Sequence, residues 1–169
     1  MLAKKVELYN KFFNEINKGW AIITSGDKFI GSNSMTISWG GIGYLWEKNV
    51  CFIFVRESRY TKEFLDKSDS ITVSFMNEKY KKEMTFFGRN SGRNVDKFKE
   101  CNFHKTFDVD FNGYYVCESD YVLKLKKICS LDIKKENLNG TILKDFYPNG
   151  DYHTLYICEI KQYLVNEDL

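Results

Sequence analysis

The sequence predicts a mainly β domain, an antiparallel barrel decorated by a few short helices. Three observations predict it. A long series of short segments is rich in Val, Ile, Thr, Tyr and Phe. These segments do not alternate regularly with helical patterns, so a parallel βαβ sheet is disfavoured. Proline occurs once in 169 residues, which leaves long runs free to pair. A two-sheet sandwich is the alternative that this pattern leaves open. The length suits one domain covering residues 1–169, able to bury roughly 70% of its unfolded surface without disulfides or metals.

The elements follow in chain order. Val6, Tyr9, Phe12, Phe13 and Ile16 recur at helical spacing, predicting an amphipathic helix over 4–17. Trp20 to Ser25 reads as a strand, Gly26-Asp27 as a turn, and Lys28 to Ser32 as the returning strand. Met35 to Trp39 is a further extended segment, and Gly40 to Gly43 a loose stretch. Val50 to Val55 is continuously apolar, as in a strand covered on both faces. Arg59 to Lys67 reads as a helix with Ser58 as its N-cap. Ile71 to Phe75 is a strand, Tyr80 to Phe86 a helix and Asn94 to Glu100 a short helix. Beyond Phe107 the chain is mostly extended, over Tyr114 to Glu118, Tyr121 to Leu131 and Tyr152 to Val165. Asn112-Gly113, Asn139-Gly140 and Asn149-Gly150 punctuate it as turns.

Composition narrows the function. Charged residues are 28% and hydrophobic ones 43%, as in globular domains. A net charge of +2 gives no basis for nucleic-acid binding. The five cysteines are odd in number and lack C-x-x-C spacing, so neither a disulfide framework nor a zinc site is expected. Two histidines, His104 and His153, are too few for a histidine-rich metal site. There is no G-x-x-x-x-G-K-[ST], H-E-x-x-H or G-x-S-x-G. Gly41-Ile42-Gly43 lacks the third glycine of a dinucleotide fingerprint. The first 17 residues carry Lys4, Lys5, Glu7, Lys11 and Glu15 rather than a signal-peptide core, and no apolar run approaches the ~18 residues of a membrane span. A cytoplasmic, membrane-free protein with reduced cysteines is the expectation.

Three segments can carry chemistry. Arg56-Glu57-Ser58-Arg59-Tyr60-Thr61 follows an apolar strand and opens a helix. Free N–H groups and a positive dipole end favour an anion there. Two arginines sit where the dipole disfavours cations, which makes sense with a phosphate between them. Capping by Ser58 and neutralisation by Glu57 or Glu63 is the purely structural alternative. Gly88 to Lys97 is polar, basic and glycine-bearing, able to bend and present backbone N–H groups. Asn33-Ser34-Met35-Thr36-Ile37-Ser38-Trp39-Gly40 mixes apolar side chains with small hydroxyl and amide groups. That mix suits the face and edge of a flat heterocycle, and equally a strand with one polar face.

Taken together, N-S-M-T-I-S-W-G at 33–40, R-E-S-R-Y-T at 56–61 and S-G-R-N-V-D-K-F at 91–98 resemble the flavin reductase-like family, specifically its flavoredoxin-type branch. Asp151 to Tyr156 with Glu159-Ile160 resembles the family's final barrel strand, so the resemblance spans about residues 18–163. It implies an FMN-binding split β-barrel with a Greek-key-like topology and a homodimer with FMN at or near the interface. Asn33, Met35, Thr36, Ser38 and Trp39 would line the isoalloxazine and ribityl chain. Arg56, Ser58, Arg59 and Thr61 would hold the phosphate. Ser91, Arg93 and Lys97 would close over the cofactor, from the same chain or its partner.

His153 would lie at the flavin edge with a pKa near neutrality, orienting a nicotinamide or donating a proton, and Trp39 would gate the ring. Phe87 and Leu125 stand where the branch often has cysteine, and Asn94 where it has aspartate, so thiol-linked electron transfer is not implied. The implied activity is NAD(P)H-dependent flavin reduction, with electrons leaving to a redox protein or free flavin. A non-enzymatic FMN electron carrier is one alternative. A single-stranded nucleic-acid-binding barrel using the many aromatics is the other.

Overall fold

The computed structural model describes residues 12, 14–17 and 20–165. Nine strands dominate the described residues. β1 (Ala21–Asp27), β2 (Gly31–Ile37), β3 (Gly40–Leu45), β4 (Lys48–Arg56), β5 (Ser70–Met76), β8 (Ser119–Asp132) and β9 (His153–Val165) form one seven-stranded sheet. Its order is β2-β1-β5-β8-β9-β4-β3, with every pair antiparallel. β6 (Lys105–Asp108) and β7 (Gly113–Val116) form a separate hairpin. Four α-helices follow β1 among the described residues: α1 (Tyr60–Lys67), α2 (Lys81–Arg89), α3 (Lys97–Cys101) and α4 (Gly140–Phe146).

The connectivity closes the sheet. β2 and β3 lie at its opposite edges, yet only Ser38 and Trp39 join them. A two-residue link spans at most ~10 Å, so the sheet must curl until its edges meet. The result is an antiparallel barrel split along the β2/β3 seam. Its interior follows the strand period of two: Ala21 and Ile23 from β1, Cys51, Ile53 and Val55 from β4, Ile71, Val73 and Phe75 from β5, and Tyr121, Leu123 and Leu125 from β8. Phe75 stacks on Tyr121 with centroids 4.4 Å apart, and Phe12 meets Phe75 edge-on at 5.5 Å. Outward-facing Ile22 and Met76 join a second cluster with Met84 and Phe87 of α2, Phe103 and Val116. This cluster fixes α2 against the β1–β2 side, next to the seam.

Several boundaries depart from the sequence reading. The helix expected over 4–17 is helical at residues 12 and 14–17, where Phe12 and Ile16 enter the core; its other residues lie outside the described ones. The segments read as 28–32 and 35–39 contribute to one strand, β2, over 31–37; the turn falls at 28–30 rather than at Gly26-Asp27, which end β1; and the stretch read as loose at 40–43 belongs to β3. Those glycines make room for a ring: a Cβ at Gly43 would lie 3.1 Å from the Phe52 ring, and one at Gly40 2.9 Å from the Phe52 carbonyl. β4 is not covered equally on both faces, for Cys51, Ile53 and Val55 are core while Phe52 and Phe54 are half-buried. Asn139-Gly140 opens α4 rather than a turn, because the Asn139 side chain accepts the Ile142 N–H at 2.9 Å and caps the helix. Finally, α3 starts at Lys97, with Asp96 as its cap.

Candidate functional site

Two neighbouring cavities lie at the seam. The larger, about 220 Å³, is walled by residues 35–39 at the end of β2 together with Phe54, Arg56, Arg59 and His153. The smaller, about 80 Å³, runs under the start of α1 and is bounded by Asn33, Ser58, Thr61, Ser91 and Lys97. Met35 and Arg59 line both, so the two cavities are neighbours that share a wall.

The smaller cavity is cationic. Arg59, Arg89 and Lys97 line it, and among the described residues no carboxylate does. Arg59 donates to the Gly88 carbonyl. Burial lowers its pKa, the Asp151 carboxylate opposes that, and Arg56 adds to it. Lys97 is 5% exposed and donates to the carbonyls of Ser34 and, at 3.2 Å, Phe87. Burial and then the neighbouring Arg59 push its pKa down to about 8. Like charges held this close out of water call for an anion. Hydroxyls complete the donor set. Asn33 Nδ2 donates to Thr61 Oγ1 at 2.8 Å, which leaves the threonine hydrogen free to donate. Cations plus hydroxyls suit a phosphate monoester.

Trp39, Phe54 and His153 give the larger cavity an aromatic part. Trp39 sits at its mouth, 41% exposed, with its ring 4.9 Å from that of His153 and 5.4 Å from that of Phe146. Ser38 lines the same wall. Thr36 also lines it, and its hydroxyl donates to the Met84 carbonyl at 2.5 Å, tying β2 to α2.

Other expected residues are placed differently. Arg56 lies in the larger cavity, where Nη1 donates to the Asp151 carbonyl at 2.8 Å and Nη2 to the Phe146 carbonyl at 3.0 Å. It therefore holds the segment after α4 to the barrel. Ser58 is not the cap of α1. Arg59 occupies that position without a side-chain cap, and the Ser58 N–H and hydroxyl both donate to the Asp151 carboxylate, at 2.9 and 2.8 Å. Arg93 points away from the smaller cavity, pairing with Glu63 and lying 4.5 Å over the Tyr60 ring.

His153 faces Arg56 across the β4–β9 ladder and shares a 2.8 Å hydrogen bond with the Tyr147 hydroxyl through Nδ1. Burial, then Arg56, push its pKa down to about 4. The expectation of titration near neutrality is thus corrected, and the ring is neutral at pH 7. Three residues were not singled out as ligands from sequence: Arg89, Phe54 and Asp151. Arg89 carried a signal, as a cation inside the polar 88–97 segment, whereas Asp151 reaches the site only through the turn after α4.

Residues 13–169 match the flavin reductase like domain, and the chain belongs to that family. The family is one of flavin-binding, oxidoreductase-type proteins. Among solved structures the chain is similar to flavoredoxin of Desulfovibrio vulgaris (Miyazaki F), with 22% identity, a TM-score of 0.68, and coverage of 88% of this chain and 69% of that one. It is similar to flavoredoxin from Methanosarcina acetivorans at 18% identity and TM-score 0.69, covering 88% and 68%. An FMN-binding protein from Thermus thermophilus matches at 16% identity and TM-score 0.66, covering 88% and 70%. No curated protein matches the chain in sequence. Among the described residues, no helix is long and apolar enough to cross a membrane.

Proposed function

We propose that the chain binds FMN, with the phosphate in the smaller cavity and the ring system in the larger. One observation carries this reading: a cavity lined by Arg59, Arg89 and Lys97 adjoins, at Arg59 and Met35, one walled by Trp39 and Phe54. Arg59, Arg89, Lys97 and the Thr61 hydroxyl would hold the phosphate. Met35, Phe54 and Trp39 would supply apolar area for the ring. Neutral His153 would orient a partner by hydrogen bonding, without serving as an acid.

When bound, FMN would supply the redox chemistry, with NAD(P)H as the hydride donor and free flavin or a redox protein as the acceptor in this reading. The protein's part is binding, orientation and charge. A homodimer with FMN near the interface belongs to this reading, supported by the exposed Trp39 at the seam and the exposed Tyr44 and Trp46 at the β3–β4 turn. So does a cytoplasmic setting, supported by free Cys51 and Cys158 in the core.

Titration of flavin-stripped protein with FMN and with riboflavin tests the reading. Saturable binding with a clear preference for FMN supports it, and binding of neither flavin overturns it. FMN-loaded protein that never oxidises NADH or NADPH leaves an electron carrier rather than a reductase.

A further inference from the structure

The turn after α4 brings a carboxylate to the edge of the phosphate cavity, and the FMN reading gives it no role. Asp151 adopts a φ of +55°, in the left-handed region that aspartate tolerates better than most residues. From there its two oxygens take the Ser58 N–H and the Ser58 hydroxyl, at 2.9 and 2.8 Å. Ser58 lines the same cavity as Arg59, Arg89 and Lys97. The carboxylate thus already occupies two donors that an incoming phosphate would use. The charged and titratable groups around it are Arg56, whose guanidinium holds the Asp151 carbonyl, together with Arg59 and His153, both of which feel its charge.

We propose that Asp151 is a specificity-determining residue, resting on the FMN reading: its carboxylate stands in for phosphate at Ser58 and sets how tightly the phosphorylated flavin is held. Phosphate entering the cavity meets a like charge in a partly water-excluded site, where repulsion is screened weakly. It must either displace Asp151 from Ser58 or share Arg59 with it. Either course makes FMN binding weaker than three unopposed cations would make it. Riboflavin, with no phosphate, does not feel the carboxylate. FMN is therefore exchanged more readily than the cation count suggests. Displacement of Asp151 also releases the Ser58 tether of the turn bearing Tyr147 and Tyr152, leaving those from Arg56 and the Glu57 N–H.

The test is FMN and riboflavin titration of the wild-type protein, Asp151→Asn and Asp151→Gly, at low and high salt. Asparagine keeps the size, tolerates the positive φ and retains an acceptor for the Ser58 N–H, but carries no charge. Glycine relieves the backbone and removes the tether as well. The expected result is that Asp151→Asn tightens FMN binding about three- to tenfold at low salt and less at high salt, as a nearby like charge would predict. Riboflavin affinity should stay within about twofold, having no phosphate to repel.

An unchanged FMN-to-riboflavin ratio in Asp151→Asn overturns the proposal, as does an equal change for both flavins. A purely structural tether would leave Asp151→Asn like the wild type and weaken both flavins alike in Asp151→Gly. If the wild type prefers FMN and Asp151→Asn keeps the same ratio, this inference alone falls. If no variant binds either flavin, the FMN reading falls with it.

Discussion

Trp39 lies over His153 with ring centroids 4.9 Å apart and planes tilted by 39°. The contact joins the short link between β2 and β3 to the first residue of β9, directly across the barrel seam. It forms one side of the larger cavity, and neither ring lines the smaller, cationic one. Trp39→Ala should therefore weaken FMN and riboflavin equally, by about 0.5–1.5 kcal/mol, the scale of one aromatic contact. Paired titrations check this. A loss confined to FMN would place the indole at the phosphate end instead.

Arg59 should behave in the opposite way. It is half-buried, lines both cavities and donates through its guanidinium to the Gly88 carbonyl. Arg59→Ala should cost about 1.5–3 kcal/mol of FMN binding, the scale of a hydrogen bond to a charged group, and change riboflavin little. Equal losses for the two flavins would remove Arg59 as the phosphate ligand.

His153 makes stability depend on pH in a defined window. Its folded pKa, near 4, lies below the ordinary value of about 6.5. The unfolded chain therefore binds more protons between those values, and stability falls as pH drops from about 6.5 to about 4. Asp66 and Asp108, whose pKa values are lowered by Lys62 and Tyr156 and by Lys124 despite opposing burial, act below the usual aspartate range. Thermal melts across pH 4–7 should show a slope that His153→Gln flattens. A slope unchanged in that variant would mean another group titrates there.

Much of this fold was legible because the barrel strands alternate. Ile71-Thr72-Val73-Ser74-Phe75 places three apolar side chains inside, and β5 takes that place in the sheet. β3 was illegible because its glycines exist to admit the Phe52 ring, a relation between strands that no local pattern carries. α4 was missed because Asn139-Gly140 has turn chemistry, and the same asparagine oxygen serves equally well as a helix cap. At the site, the three segments do converge on the seam. The sequence could not show that Arg56 spends two of its donors on backbone carbonyls, or that Ser58 faces a carboxylate rather than α1. Both depend on Asp151, more than ninety positions away in the chain.

Gly92 tests the packing under the cationic cavity. A Cβ there would lie 2.1 Å from Asn33 Oδ1 and 3.4 Å from the Tyr60 ring. Asn33 cannot yield without breaking its 2.8 Å bond to Thr61. Gly92→Ala should destabilise the protein by about 1–3 kcal/mol, the usual cost of overpacking, with FMN affinity falling further than riboflavin affinity. Urea unfolding and paired titrations measure the two effects. Unaltered stability would show that the 88–97 loop shifts freely.

Lys97 gives the phosphate site its own pH signature. Its pKa near 8, set by burial and then by Arg59, lies well below the ordinary lysine value of about 10.4. A phosphate in the cavity favours the charged form, so binding takes up a proton wherever free Lys97 is neutral. FMN affinity should thus decline as pH rises from about 7 to about 9, the range around that pKa. Riboflavin affinity should stay level over the same range. In Lys97→Arg the cation persists throughout, and the FMN profile should flatten. A decline that survives in Lys97→Arg would assign the pH dependence to another group and leave Lys97 with only its hydrogen bonds to Ser34 and Phe87.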